Sequence, residues 1–126
     1  MTRLMIGLCA VGILAGGLFA VNAQEKEEEK ITIKKVMQTA HKGGLLKKVT
    51  GGEASDEEKA QLLKLYKGLA AAKPPKGGEE SWKAKTKDLV DAAQASVDDK
   101  DNAKALLTKA ANCMACHKEH RPPPAN

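Results

Sequence analysis

The sequence has very few aromatic residues and very few cysteines. One Phe, one Trp and one Tyr make up 2% of its 126 residues, and only three cysteines are present. A core of Ala, Leu and Val with almost no aromatic rings is thin for a small domain, which favours an interior filled partly by a bound cofactor. One cysteine lies in the apolar N-terminal run, so the remaining two are too few for a disulfide framework.

Patterns typical of enzymes and of nucleic-acid-binding proteins are also missing. The chain has no paired carboxylates, nucleophile–base pair or phosphate-binding loop, so we do not expect an enzyme. The formal net charge is +5, but no basic run is interleaved with aromatic residues, so nucleic acid is not an expected partner. Six lysines are concentrated in the first predicted helix and its start. They form either a solvated helix face or a docking surface for an acidic partner: Lys30, Lys34, Lys35, Lys42, Lys47 and Lys48.

The long apolar run is confined to the N-terminus. Arg3 precedes an apolar stretch over residues 4–21, and Val21–Asn22–Ala23 has the small–x–small pattern of a cleavage site. Residues 1–23 are therefore predicted to be a cleaved secretory signal peptide, which implies export to the periplasm without a membrane anchor. The alternative is a retained anchor, because the run is about long enough to span a bilayer.

The rest of the chain is predicted to be all-α. Residues 24–30 form a charged lead-in, residues 31–121 a single helical domain, and residues 122–126 a Pro-rich tail. Apolar residues recur at helical spacing in four segments: 31–49, 55–72, 79–97, and one running from the 98–101 turn to about 120. Short connections favour antiparallel neighbours, so the predicted architecture is an up-down-up-down four-helix bundle.

Local signals refine these helices. Gly43–Gly44 is expected to weaken the first helix, Ser55 to open a capping box with Glu58, and Asp98–Asp101 to form a turn and an N-cap. The first helix is expected to turn one stripe inward: Ile33, Val36, Met37, Ala40 and His41. The last helix is expected to carry one continuous inward stripe: Ala103, Leu106, Leu107, Ala110, Cys113, Met114 and His117.

The most informative motif is C-x-x-C-H at Cys113–His117, close to the C-terminus. In c-type haem attachment, two thiols add across the vinyl groups of the haem and the following imidazole binds the iron. The motif therefore predicts one covalent haem held by Cys113 and Cys116, with His117 as an iron ligand. On a helix, Cys113 and His117 lie one turn apart and face the same way, toward the predicted interior.

Three other interpretations of the motif are open. A redox-active disulfide normally opens a helix in a β-α-β setting, which this sequence lacks. A zinc site would take all its ligands from one helix, which would have to unwind to close a tetrahedron: Cys113, Cys116, His117 and His120. A chance match in a protein without haem is the third.

With these features together, the chain resembles the class II c-type cytochromes, the cytochrome c prime group and its low-spin relatives. The specific part is Cys113–Arg121 (CMACHKEHR), which is similar to the family ending C-x-x-C-H-x-x-x-R, and the looser resemblance covers most of 31–121. The resemblance implies that Arg121 lies near the haem, next to one of its propionates, and that the protein can form a homodimer. His120 stands where the family has an aromatic residue, and Lys34 or Lys35 where it has an early basic one.

The resemblance also implies that a side chain of the first helix faces the far side of the iron. A Met there gives a six-coordinate electron carrier, whereas an apolar residue leaves room for NO or CO. Met37 is the predicted distal ligand and His41 the alternative, while Met37 as simple core filler is also open. The predicted function is a periplasmic monohaem cytochrome that carries single electrons between redox partners; the alternative is a five-coordinate haem protein that binds NO or CO.

Overall fold

The computed structural model describes residues 30–124, and within them every regular element is helical, which confirms the all-α prediction. The elements are α1 (Ile33–Val36), a π-helical turn (Met37–Lys42), α2 (Leu45–Gly51), α3 (Asp56–Ala71), α4 (Glu79–Val97), α5 (Ala103–Ala110) and α6 (Cys113–His120). The predicted signal peptide lies outside the described residues. Over 30–124, no helix combines the length and the hydrophobicity needed to cross a bilayer.

Helix α3 begins at the predicted capping box. The Ser55 hydroxyl accepts a hydrogen bond from the Glu58 amide at 3.2 Å, and the Glu58 carboxylate accepts one from the Ser55 amide at 3.0 Å. These bonds satisfy two amides at a helix start that would otherwise lack partners. The acidic first turn also suits the positive end of the helix dipole.

The core lies mainly where α3 packs along α4 and α4 along α5, while α1 rests on α3 and α2 contacts both α3 and α5. The apolar face of α3 is buried throughout: Leu62, Leu65, Tyr66 and Leu69. Tyr66 is the largest of the fully buried side chains in the described residues. Val36 and Ala40 close the core from the side of α1 and the π-helical turn.

The first predicted helix is interrupted at Gly43–Gly44, as expected. The Gly43 amide donates to the Gln38 carbonyl at 2.7 Å, a bond that spans five residues and closes the π-helical turn. A Cβ atom on Gly43 would lie 2.6 Å from the Thr39 carbonyl oxygen, so the turn closes this tightly only around glycine. Helix α2 then starts afresh after Gly44.

The prediction of one continuous last helix is wrong. Helix α5 ends at Ala110, and Asn112 starts α6 by accepting a hydrogen bond from the Ala115 amide at 3.1 Å. The Asn side chain competes for backbone donors and favours such a cap over a helix interior. The predicted inward stripe is also wrong in part: Leu106 is 38% and Met114 69% exposed, and Cys113 is exposed as well.

The predicted N-cap of the last helix is also corrected. The turn over 98–101 is present, but the N-cap residue is Asn102, and its side chain makes no capping hydrogen bond. The turn instead relies on backbone bonds, including one from the Lys100 amide to the Ala95 carbonyl at 2.9 Å. The start of α5 is therefore set by this backbone turn and by the burial of Ala103 and Leu107.

Candidate functional site

A cleft of about 720 Å³ separates α1 and the π-helical turn from α6. Its volume lies within the range of pockets that take small-molecule ligands, about 300–1,000 Å³. The lining is mostly apolar and is made by Ile33, Lys34, Met37, His41, Lys42, Pro75, Trp82, Cys116, His117, His120, Arg121, Pro122, Pro123 and Pro124. The two ends of the described chain thus meet at one place.

All the predicted site residues except Cys113 line this cleft. Met37 and His41 come from the π-helical turn, and Cys116 and His117 come from α6. Met37 and His41 are four residues apart and partly buried, whereas Val36 and Ala40, each one residue earlier, are fully buried. The turn therefore divides its residues between the core and the cleft.

His41 brings a neutral nitrogen base to the cleft. Burial, and secondarily the positive charge that His117 can carry, lower the pKa of His41 below its ordinary 6.5. The imidazole is thus mostly uncharged at neutral pH, in the form that can bind a metal. Its Nε2 atom is buried and has no hydrogen-bond partner among residues 30–124.

Tyr66 shares this environment. Its side chain is fully buried, and within the described part of the chain its hydroxyl also has no hydrogen-bond partner. Burial first, and then the negative charge that Cys113 can carry, raise the pKa of the Tyr66 hydroxyl. Buried polar atoms without partners are uncommon in folded proteins, because each costs about 1–3 kcal/mol.

The two cysteines are free thiols in different surroundings. Cys113 is the exposed first residue of α6, and its thiol donates a weak hydrogen bond to the Ala111 carbonyl at 3.7 Å. Cys116 is partly buried against the cleft, and burial raises its pKa, with Lys85 acting in the opposite direction. A raised thiol pKa is the reverse of what a redox-active C-x-x-C pair uses.

His120 does not serve the proposed zinc tetrahedron. Its Nδ1 lies 2.9 Å from the Lys76 carbonyl oxygen and its Nε2 lies 3.2 Å from the Ser81 hydroxyl, so both ring nitrogens are already engaged. Among residues 30–124, no three His, Cys, Asp or Glu side chains form a group that could hold a metal ion.

Two parts of the lining were not predicted as site residues. Trp82 is buried on α4, its ring borders the cleft, and its indole N–H donates to the Ala72 carbonyl at 2.8 Å. Pro122–Pro124 were predicted only as part of a Pro-rich tail, and they extend the wall beyond Arg121. Two features of the sequence could have indicated these wall residues: Trp82 is one of very few aromatic residues, and the prolines lie close to the C-x-x-C-H motif.

The charged side chains that line the cleft are all basic: Lys34, Lys42 and Arg121. The cleft therefore combines an apolar interior with cationic groups, which suits an amphipathic ligand that carries negative charge. Comparisons with protein-family models, with curated proteins and with solved structures found no match to this chain.

Proposed function

We propose that this protein is an exported monohaem cytochrome c that carries single electrons between redox partners. Cys113 and Cys116 would bind one haem covalently, His117 would ligate its iron, and Met37 would supply a second iron ligand. One observation carries the proposal: a single apolar cleft joins Cys116 and His117 of the C-x-x-C-H motif to Met37 and His41 from the far end of the domain.

The residues around the cleft fit such a cofactor. The apolar lining matches the macrocycle, and the basic Lys34, Lys42 and Arg121 match its two propionates. The Nε2 atom of His41, which is buried and makes no hydrogen bond within residues 30–124, also lies beside this mostly apolar cleft. When bound, haem supplies a one-electron couple between ferric and ferrous iron.

The side chains on the cleft set the conditions for that couple. A Met thioether opposite a His imidazole favours a higher reduction potential than two imidazoles would. Trp82 and Pro122–Pro124 line part of the cleft with apolar surface, which would limit the access of water to a bound iron. His41 is the alternative distal ligand, since it lines the same cleft one helical turn from Met37.

The finer architecture belongs to the same proposal. We expect an antiparallel up-down-up-down bundle in which the divided first and last helices each count as one, with the haem on the C-terminal one. The packing of α3 on α4 and of α4 on α5 supports this arrangement. The basic surface near the start of the domain is also the proposed docking surface for an acidic redox partner; Lys30, Lys47 and Lys48 are its exposed lysines that do not line the cleft.

Addition of CO to the reduced protein tests the electron-carrier proposal. If Met37 occupies the iron, the ferrous spectrum changes slowly or not at all, because CO must first displace the thioether. A rapid and complete change would instead identify a five-coordinate haem protein that binds NO or CO. The Cys113→Ala, Cys116→Ala double variant is the control, since it has no thiol for attachment.

A further inference from the structure

Helix α6 carries the whole C-x-x-C-H motif but is held mainly at its C-terminal end. Its first residues, Cys113, Met114 and Ala115, are exposed, and its packing on the rest of the described chain is chiefly on α4. At the other end His120 is only 2% exposed. The position of the motif therefore depends on what His120 contacts.

The His120 ring lies in a directed chain of hydrogen bonds. A carbonyl oxygen can only accept, so Nδ1 carries the proton that is donated to the Lys76 carbonyl at 2.9 Å. In the neutral ring Nε2 then accepts from the Ser81 hydroxyl at 3.2 Å. Lys85 donates to the Ser81 oxygen at 2.9 Å, so the Ser81 hydroxyl proton is available to His120 or to the Glu119 carboxylate, whose pKa a hydrogen bond from Ser81 helps to lower.

The packing around His120 is equally close. The Trp82 ring meets it edge to face, with centroids 5.2 Å apart and planes at 75°. Gly77 has a φ of +82°, and a Cβ atom there would lie 2.8 Å from Nδ1 of His120 and 2.9 Å from the Glu119 carbonyl oxygen. The α3–α4 connection can pass this near to α6 only with glycine at this position.

We propose that His120 is a positioning residue that fixes α6 and thereby holds His117 in the cleft. The inference rests on the proposed haem function. His117 and His120 are three residues apart on α6 and both line the cleft, so a shift of one moves the other. A second contact between α4 and α6 is the ion pair between Lys85 and Glu119 at 2.5 Å. Because both side chains are more exposed than His120, this pair contributes less to fixing the position of α6.

The test uses the haem-bearing protein with His120→Phe and His120→Asn. Phe keeps an aromatic ring against Trp82 but removes both hydrogen bonds, whereas Asn has an amide that can again donate to the Lys76 carbonyl. We expect His120→Phe to lower the ratio of low-spin to high-spin ferric iron about tenfold, and His120→Asn to recover most of the loss. The absorption spectrum of the ferric protein measures the ratio.

Ser55→Ala is the matched control, because it weakens the cap of α3 by about 1 kcal/mol without touching α6. It leaves the spin ratio unchanged if His120 acts through position and not through general stability. If His120→Phe does not fold, Ser81→Ala removes the Nε2 partner together with the Lys85–Ser81 hydrogen bond, keeps the Nδ1 bond to Lys76, and shifts the ratio in the same direction. Haem-bearing His120→Phe with a ratio within about twofold of wild type overturns this inference alone. A wild-type protein without haem overturns the proposed function as well.

Discussion

The imidazole of His41 and the phenol ring of Tyr66 lie side by side, with centroids 6.0 Å apart and planes inclined at 39°. Both rings carry a buried polar atom without a hydrogen-bond partner, Nε2 on His41 and the hydroxyl on Tyr66. Only His41 lines the cleft, since Tyr66 is fully buried in the core. Two buried polar atoms that make no hydrogen bond within residues 30–124 therefore lie close to the cleft.

The choice between Met37 and His41 as distal ligand is tested by replacing each with Ala. We expect Met37→Ala to convert ferric iron from low spin to high spin and to allow fast CO binding in the ferrous state, because the thioether is lost. His41→Ala should leave both properties close to wild type. An unchanged spectrum in Met37→Ala together with a changed one in His41→Ala would assign the ligand to His41.

Tyr66→Phe removes a hydroxyl that has no partner while keeping the ring in the core. We expect the free energy of unfolding to rise by about 1 kcal/mol, because a buried polar group is no longer deprived of its hydrogen bond. Tyr66→Ala is the comparison and should lose about 3 kcal/mol or more through the cavity it leaves. Denaturant titration measures both. A loss of stability in Tyr66→Phe would mean that the hydroxyl gains a partner in the haem-bearing protein.

Gly43→Ala tests the π-helical turn that presents Met37 and His41. The added methyl group would lie 2.6 Å from the Thr39 carbonyl oxygen, so we expect a loss of about 1–3 kcal/mol. Gly51→Ala is the matched variant, because no atom lies within 4 Å of its added Cβ and it ends helix α2. It should be neutral or slightly stabilising. Equal effects in the two variants would contradict the account of the turn.

The Glu58 carboxylate should make stability depend on pH. The hydrogen bond from Lys48, and then that from the Ser55 amide, lower its pKa below the ordinary 4.5. Since the folded-state pKa is the lower one, the stabilisation is present above about 4.5 and is lost as the pH falls through the folded-state pKa. Thermal unfolding should show Glu58→Gln less stable than wild type at about pH 7, with the difference shrinking toward about pH 3. Glu57→Gln, in the same exposed turn, should leave the wild-type dependence intact.

Much of the helical framework could be predicted because its signals are local. The capping box at Ser55 starts α3, the predicted segment 55–72 matches it to within one residue at each end, and the predicted range 79–97 is the observed α4. Each of these helices also has an uninterrupted apolar face that decides its orientation.

The break before α6 could not be predicted in this way. Asn112 has only a modest helix penalty, and the apolar spacing continues across it, so the pattern alone favours one helix. Besides the local cap at Asn112, contacts distant in sequence stabilise the break, such as that of His120 with Lys76.

The candidate site was predicted one element at a time. The motif at Cys113–His117 identified the chemistry, and the first-helix stripe identified Met37 and His41, but their meeting at one cleft depends on tertiary packing. Pro122–Pro124 show no helical or strand periodicity from which a place in the cleft lining could be predicted. The directed hydrogen bonds of His120 were likewise invisible, since Lys76 and Ser81 are far from it in the sequence.

The mass of the intact protein, purified from a host with cytochrome-maturation machinery, tests the central claim most directly. We predict the mass of the polypeptide plus one haem, retained under denaturing conditions, and its loss in the Cys113→Ala, Cys116→Ala double variant. A colourless protein whose mass equals that of the polypeptide alone would contradict the account.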